Sequence, residues 1–239
     1  MGAENIKPKN PIQAMYVIHK ALGAEAWRVW DTVNQLTPIL GGTLQEFQLA
    51  FNSWVSALMW HVKNGSECAS ELLSRRQAAL AGRSETALPA RHQAVNPDRV
   101  DDRPQALEER VKKAVEALGE ERHKAFLQPI ESVFQTLESG TSGKMAIFNV
   151  QQHLYLAVWR LRMTQQHYLQ QEETSVVPII SELTDEQDQI HLVKSLLIEE
   201  GGEAPRWMLD WVAQRVPPED RDLLAHLETL FGNRSGSHQ

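Results

Sequence analysis

Four residues with ligand chemistry stand on stripes that are otherwise apolar: His19, His61, His123 and Glu172. Imidazole and carboxylate groups projected inward from facing helices are the donors with which helical proteins hold iron or manganese. A single histidine on such a stripe is more often a buried, hydrogen-bonded core group than a ligand. One candidate on each of four helices is harder to assign to packing alone. Glu172 lies in the stretch QQHYLQQEETSVVP, where the nearest histidine, His167, is five residues away. Two helical ligands share an ion when they stand three or four residues apart, so this pair has the wrong spacing. Tyr168, one turn before Glu172, shares its stripe instead.

The elements that must position these residues read as helical almost throughout, with apolar residues recurring at three and four. A first helix is expected from about 12 to 36, with the stripe Ile12, Met15, His19, Leu22, Ala26, Val29 and Val33, ended by Pro38 and Gly41-Gly42. A second, capped by Thr43, is expected from about 44 to 62 with Phe47, Phe51, Trp54, Leu58 and His61 inward. Lys63-Asn64-Gly65-Ser66 is poor helix sequence, and helix resumes from about 71 to 80. A charged, proline-bearing loop covers about 82 to 104, followed by a helix to about 118 with Gly119 as its C-cap. The next helix, about 120 to 137, carries His123, Leu127, Ile130 and Phe134 on its stripe and a kink at Pro129. After the turn SGTSGK a long helix is expected from about 145 to 183, with Leu154, Val158, Leu161, Gln165, Tyr168 and Glu172 inward. Thr184-Asp185-Glu186-Gln187 is a capping box opening another helix, and two short helices joined at Pro217-Pro218 close the chain.

The bulk properties bound the function. The chain has 239 residues, 42% hydrophobic and 23% charged, which is ordinary globular composition. A net charge of −7 with no basic run gives nucleic-acid binding no electrostatic support. There is no apolar run of about 18 residues and no signal-peptide pattern, so no membrane association is expected. Cys68 is the only cysteine, which suits a reducing, cytoplasmic setting and lacks a neighbouring cation that would activate it. Walker A, G-x-S-x-G, G-x-G-x-x-G and C-x-x-C patterns are absent. Trp27, Trp30, Trp54, Trp60 and Trp159 read first as core filling, and otherwise as the wall of a pocket or a haem site. His153, His191 and His226 read as surface residues, and His92 falls in the loop.

Taken in order, the segments MYVIHKAL, LMWHVKNGSECASELL, EERHKAFLQPIESVFQTL and YLQQEETSVVPIISELTDEQ resemble the four helices of hemerythrin-like (HHE cation-binding) domains. MLDWVAQRVPPEDRDLL is similar to a C-terminal extension in one branch of that family, and His19 and His61 are forty-two residues apart as the family pattern suggests. The resemblance covers most of the chain outside about 75 to 119. It implies an all-α, up-and-down four-helix bundle over residues 1–183, with an inserted helix at about 75–119. A C-terminal helical extension packed on the bundle (184–231) and a disordered tail (232–239) complete it.

It further implies non-haem iron, one or two ions, and the handling or sensing of dioxygen, peroxide or nitric oxide. His19, His61, His123 and Glu172 match ligand positions, with Tyr168 as a ligand or hydrogen-bond donor beside them. Two positions depart from the pattern. Gly65 stands where the second helix should give a glutamate, and Tyr168 where the fourth should give a histidine. Glu67 is a replacement for the missing glutamate only if Lys63–Ser66 is irregular. Two alternatives follow from these departures: a metal-free helical module that binds a protein partner or a second copy, and an enzyme or haem protein that reuses the bundle interior.

Overall fold

The computed structural model describes residues 10–36, 44–86, 103–142 and 146–232, and every regular element among them is helical. The expected turn at Pro38 and Gly41-Gly42, the Thr43 cap, His92 and the tail from 233 lie outside the described residues. After a 3-10 turn at Pro11–Gln13 come α1 (Ala14–Asn34) and α2 (Leu44–Thr86), then α3 (Arg103–Ala117), α4 (Glu120–Thr141) and α5 (Ile147–Gln171). A π-helical turn, Glu172–Val176, links α5 to α6 (Val177–Leu183), and α7 (Glu186–Leu197), α8 (Trp207–Ala213) and α9 (Pro218–Gly232) follow.

The stripes expected on α1, α2 and α5 are the buried faces, including their polar members His19, His61, Gln165, Tyr168 and Glu172. Four helices pack in a ring: α1 against α2 and α5, and α4 against the same two. Trp54, Phe47, Phe51 and Phe126 are the largest fully buried side chains of their shared interior. Burying an aromatic side chain of this kind is worth enough that truncating it to alanine costs roughly 3–5 kcal/mol. α3 lies over the π turn, α2 and α6. α7 packs on α2, while α8 and α9 close over α1 and α7.

Several local expectations give way to packing. Helix α2 runs unbroken through Lys63–Ser66. Val62, Gly65, Ser66, Ala69, Leu72 and Leu73 are buried along it, and this tertiary burial outweighs the weak intrinsic preference of Asn and Gly. The side chains of Asn64 and Ser66 return hydrogen bonds to the carbonyls of Trp60 and Lys63 on the same helix. On α4 the buried face is Phe126, Pro129, Val133 and Leu137, so the expected stripe was displaced by one position. Leu127 and Phe134 are 55% and 42% exposed. Pro129 lies inside α4 without ending it. Gly119 is not a left-handed C-cap: at φ −64 and ψ 152 it is the extended N-cap of α4. Asp185, rather than Thr184, caps α7, its side chain accepting from the Asp188 N–H.

The expected single helix from about 145 to 183 is interrupted at the residue that matters most. Pro178 has no N–H with which to continue the i→i−4 pattern. Just before it, the Val177 N–H reaches back five residues to the Glu172 carbonyl. The widened turn that results begins at Glu172, and π turns of this kind recur at functional sites.

Candidate metal centre

Helix α1 supplies His19, α2 supplies His61 and the π turn supplies Glu172. One ligand atom from each lies within 4.8 Å of the other two, and all three residues are buried. His61 Nε2 is 2.9 Å and His19 Nε2 3.2 Å from the same Glu172 Oε2. The two imidazole rings meet edge to face with centroids 5.0 Å apart. On its outer side, His19 Nδ1 hydrogen-bonds Glu173 Oε1 at 2.8 Å. A carboxylate behind a histidine in this way fixes the ring's orientation and tautomer, the arrangement that supports metal-bound imidazoles.

The charges follow from burial and neighbours. Burial alone would push the Glu172 carboxyl up, yet His61 and His19 outweigh it and hold its pKa at about 2. Burial pulls His19 down, but Glu172 and Glu173 win and its pKa is raised. An anionic carboxylate therefore faces two imidazoles in a pocket closed to solvent.

His123 and Tyr168 stand beside this cluster. The His123 ring lies 6.4 Å from that of Tyr168, which also packs edge-on against Phe126. Burial lowers the His123 pKa despite the pull of Glu172, Glu120 and Glu67, which favours its neutral imidazole. Burial, then the nearby Glu172 charge, raise the Tyr168 phenol well above its ordinary value. A neutral phenol is a hydrogen-bond donor and only a weak metal donor.

Unpartnered atoms gather here. Among the described residues, His61 Nδ1, His123 Nε2, Tyr168 Oη and Glu172 Oε1 are buried with no hydrogen-bond partner, and His19 Nε2 has only its 3.2 Å approach to Glu172 Oε2. Each such group costs about 1–3 kcal/mol if left unmet. The converging atoms of His19, His61 and Glu172 suit a bound cation, and their nitrogen and oxygen donor set fits iron, manganese or zinc.

His19, His61 and Glu172 are thus brought together, with His123 and Tyr168 adjacent. His167 is exposed, as its spacing implied. Gly65 is buried on α2 one turn after His61, and a Cβ built there would stand 3.7 Å from Glu172 Oε1. The position faces the centre but offers no donor. Glu67 does not replace it, because the unbroken helix turns Glu67 to solvent. His153, His191 and His226 are exposed. Trp54 is core, its indole N–H donating to Gln165 Oε1 at 2.6 Å, whereas Trp27 and Trp159 are exposed. Sequence reading missed Glu173; its only signal was adjacency to Glu172, and neighbours on a regular α-helix diverge too far to serve one site.

No family model, no curated protein and no solved structure matches the chain.

Proposed function

We propose that the chain is a hemerythrin-like non-haem iron-binding protein that holds one ion on His19, His61 and Glu172. The observation that carries the reading is the convergence of three buried ligand atoms, two imidazole and one carboxylate, within 4.8 Å. Two histidines and one carboxylate are the donor set of non-haem ferrous sites that leave positions open to small ligands. The ring of α1, α2, α4 and α5 supports the bundle part of the reading. A second ion has less support, because Gly65 supplies no carboxylate where a bridge between two ions needs one.

Bound iron would supply the chemistry with dioxygen, peroxide or nitric oxide. The chain's own residues orient it and exclude water: Glu173 holds the His19 ring, while Tyr168 and His123 offer polar atoms beside Glu172. Among the described residues no helix is long and apolar enough to cross a membrane. A cytoplasmic setting is part of the proposal.

A metal-free module remains the second reading, favoured by one observation: Glu172 already hydrogen-bonds His61 and so partly satisfies the cluster without an ion. Anaerobic titration of the purified chain with ferrous iron, followed by metal analysis and an absorption spectrum, separates the two. One ion per chain, lost in His61→Ala, is the expected result. No uptake and no change in thermal stability on adding iron would leave the metal-free module. A Soret band in the purified protein would replace both readings with a haem protein.

A further inference from the structure

A groove of about 590 Å³ runs between α1 and α5, bordered by Gly23, Trp27, Arg162, Gln165 and Gln170 and ending at Glu173. That volume is within the range of small-molecule sites. Three features suggest that it is built for a ligand.

The first is Gly23. It sits within α1, where glycine costs about 1 kcal/mol relative to alanine. No atom lies within 4 Å of a Cβ built there, so no neighbouring side chain or backbone requires the glycine. With no side chain at position 23, the α1 wall of the groove stays open there.

The second is Arg162. Its guanidinium carbon stacks 3.5 Å over the Trp27 ring, and among the described residues it forms no ion pair. Stacking uses the face of the guanidinium and leaves its N–H edge free for a planar, bidentate acceptor.

The third is Gln165, only 2% exposed. Its carbonyl is taken by the Trp54 indole, which leaves its amide donors to the groove.

The charge balance selects the ligand class. Lys20 on the wall is paired with Asp220 at 2.9 Å, and at the groove's end the Glu173 carboxylate is taken by His19 Nδ1 at 2.8 Å. One unpaired guanidinium matches a monoanion better than a phosphate dianion. We propose that the α1–α5 groove binds a small organic monocarboxylate, its carboxylate on the edge of Arg162 and its body in the space beside Gly23. Arg162 and Gly23 lie outside the His19–His61–Glu172 cluster. His19 and Glu173 line the groove's inner end, but Arg162→Gln and Gly23→Leu leave the three proposed metal ligands untouched, so loss of carboxylate binding in these variants and loss of metal in His61→Ala are separate outcomes.

The test is calorimetric titration of the purified full-length chain with acetate, benzoate and indole-3-acetate, and with inorganic phosphate for comparison. Saturable binding of at least one carboxylate is expected. It should weaken at least about tenfold in Arg162→Gln, where a charge-assisted pair is lost. Gly23→Leu, which the open space around position 23 tolerates, should weaken it as much while keeping or raising thermal stability. Arg160→Gln, an exposed arginine on the same helix, should leave it unchanged. No saturable binding by any of the three carboxylates would overturn the proposal. Retained binding in either groove variant, equal loss in Arg160→Gln, or tighter binding of phosphate would overturn it as well.

Discussion

At the scale of single residues, the weight of the centre falls on an adjacent pair of glutamates with different tasks. Glu172 is fully buried and faces two imidazoles, while Glu173 keeps 36% of its side chain exposed and meets the back of His19. Removing Glu173 should therefore spare the fold and, on the proposed iron-binding reading, weaken the hold on the ion. Glu173→Ala is expected to lower ferrous affinity about 10–100-fold in a competition titration, with little change in the unfolding midpoint. Glu173→Gln, which keeps an acceptor for Nδ1, should recover part of the loss. Equal affinity in all three proteins would remove Glu173 from the centre. His19, His61 and Glu172 were legible in the sequence because each is a polar residue on an apolar stripe. Glu173 was not, because periodicity assigns it to the helix flank and only the π turn brings it against His19.

At the scale of elements, the two decisive features are the continuity of α2 and the discontinuity after α5. Gly65 lies in the continuous helix with its Cα toward Glu172, and an added Cβ would meet Leu196 at 3.5 Å and Glu172 Oε1 at 3.7 Å, ordinary contact distances. Gly65→Ala should thus stabilise the chain by about 0.5–1 kcal/mol through the helix-propensity gain, measured by denaturant titration. A loss of stability of that size would mean that the interior beside Glu172 is tighter than the distances imply. Propensity predicted a break at Lys63–Ser66, and burial of Val62, Ser66 and Ala69 overrode it. The stripe on α4 slipped by one because Leu127 and Phe134 are as apolar as Phe126 and Val133. A helix with apolar residues on two adjacent faces does not by itself say which face is covered.

At the scale of the whole molecule, an ion cluster around the buried Glu25 ties the segment after α8 to α1. Glu25, 1% exposed on α1, accepts from Arg28 one turn later and from Arg215 after α8, and the Arg215 guanidinium stacks on Trp211. Burial would raise the Glu25 carboxyl, but the two arginines prevail and its pKa is lowered. A carboxyl lowered in the folded state contributes stability that is present above its unfolded pKa of about 4.5 and is lost as pH falls through the folded value. Glu25→Gln should accordingly cost roughly 1–3 kcal/mol at pH 7 and flatten the acid limb of the stability curve below about pH 4.5. Unchanged acid unfolding in this variant would show that the cluster does not hold α8 to α1.

The sequence by itself determined the helical class, the buried stripes of α1, α2 and α5, and the inward placement of His19, His61, Tyr168 and Glu172. All of these follow from a 3.6-residue period that local sequence carries. Only the tertiary structure decided which of those inward groups meet. Convergence of atoms within 4.8 Å depends on how α1 and α2 cross the π turn at Glu172. The exposure of Glu67 depends on a helix that burial keeps intact. Such distances are set by packing between elements far apart in the chain, and no periodicity within one element encodes them.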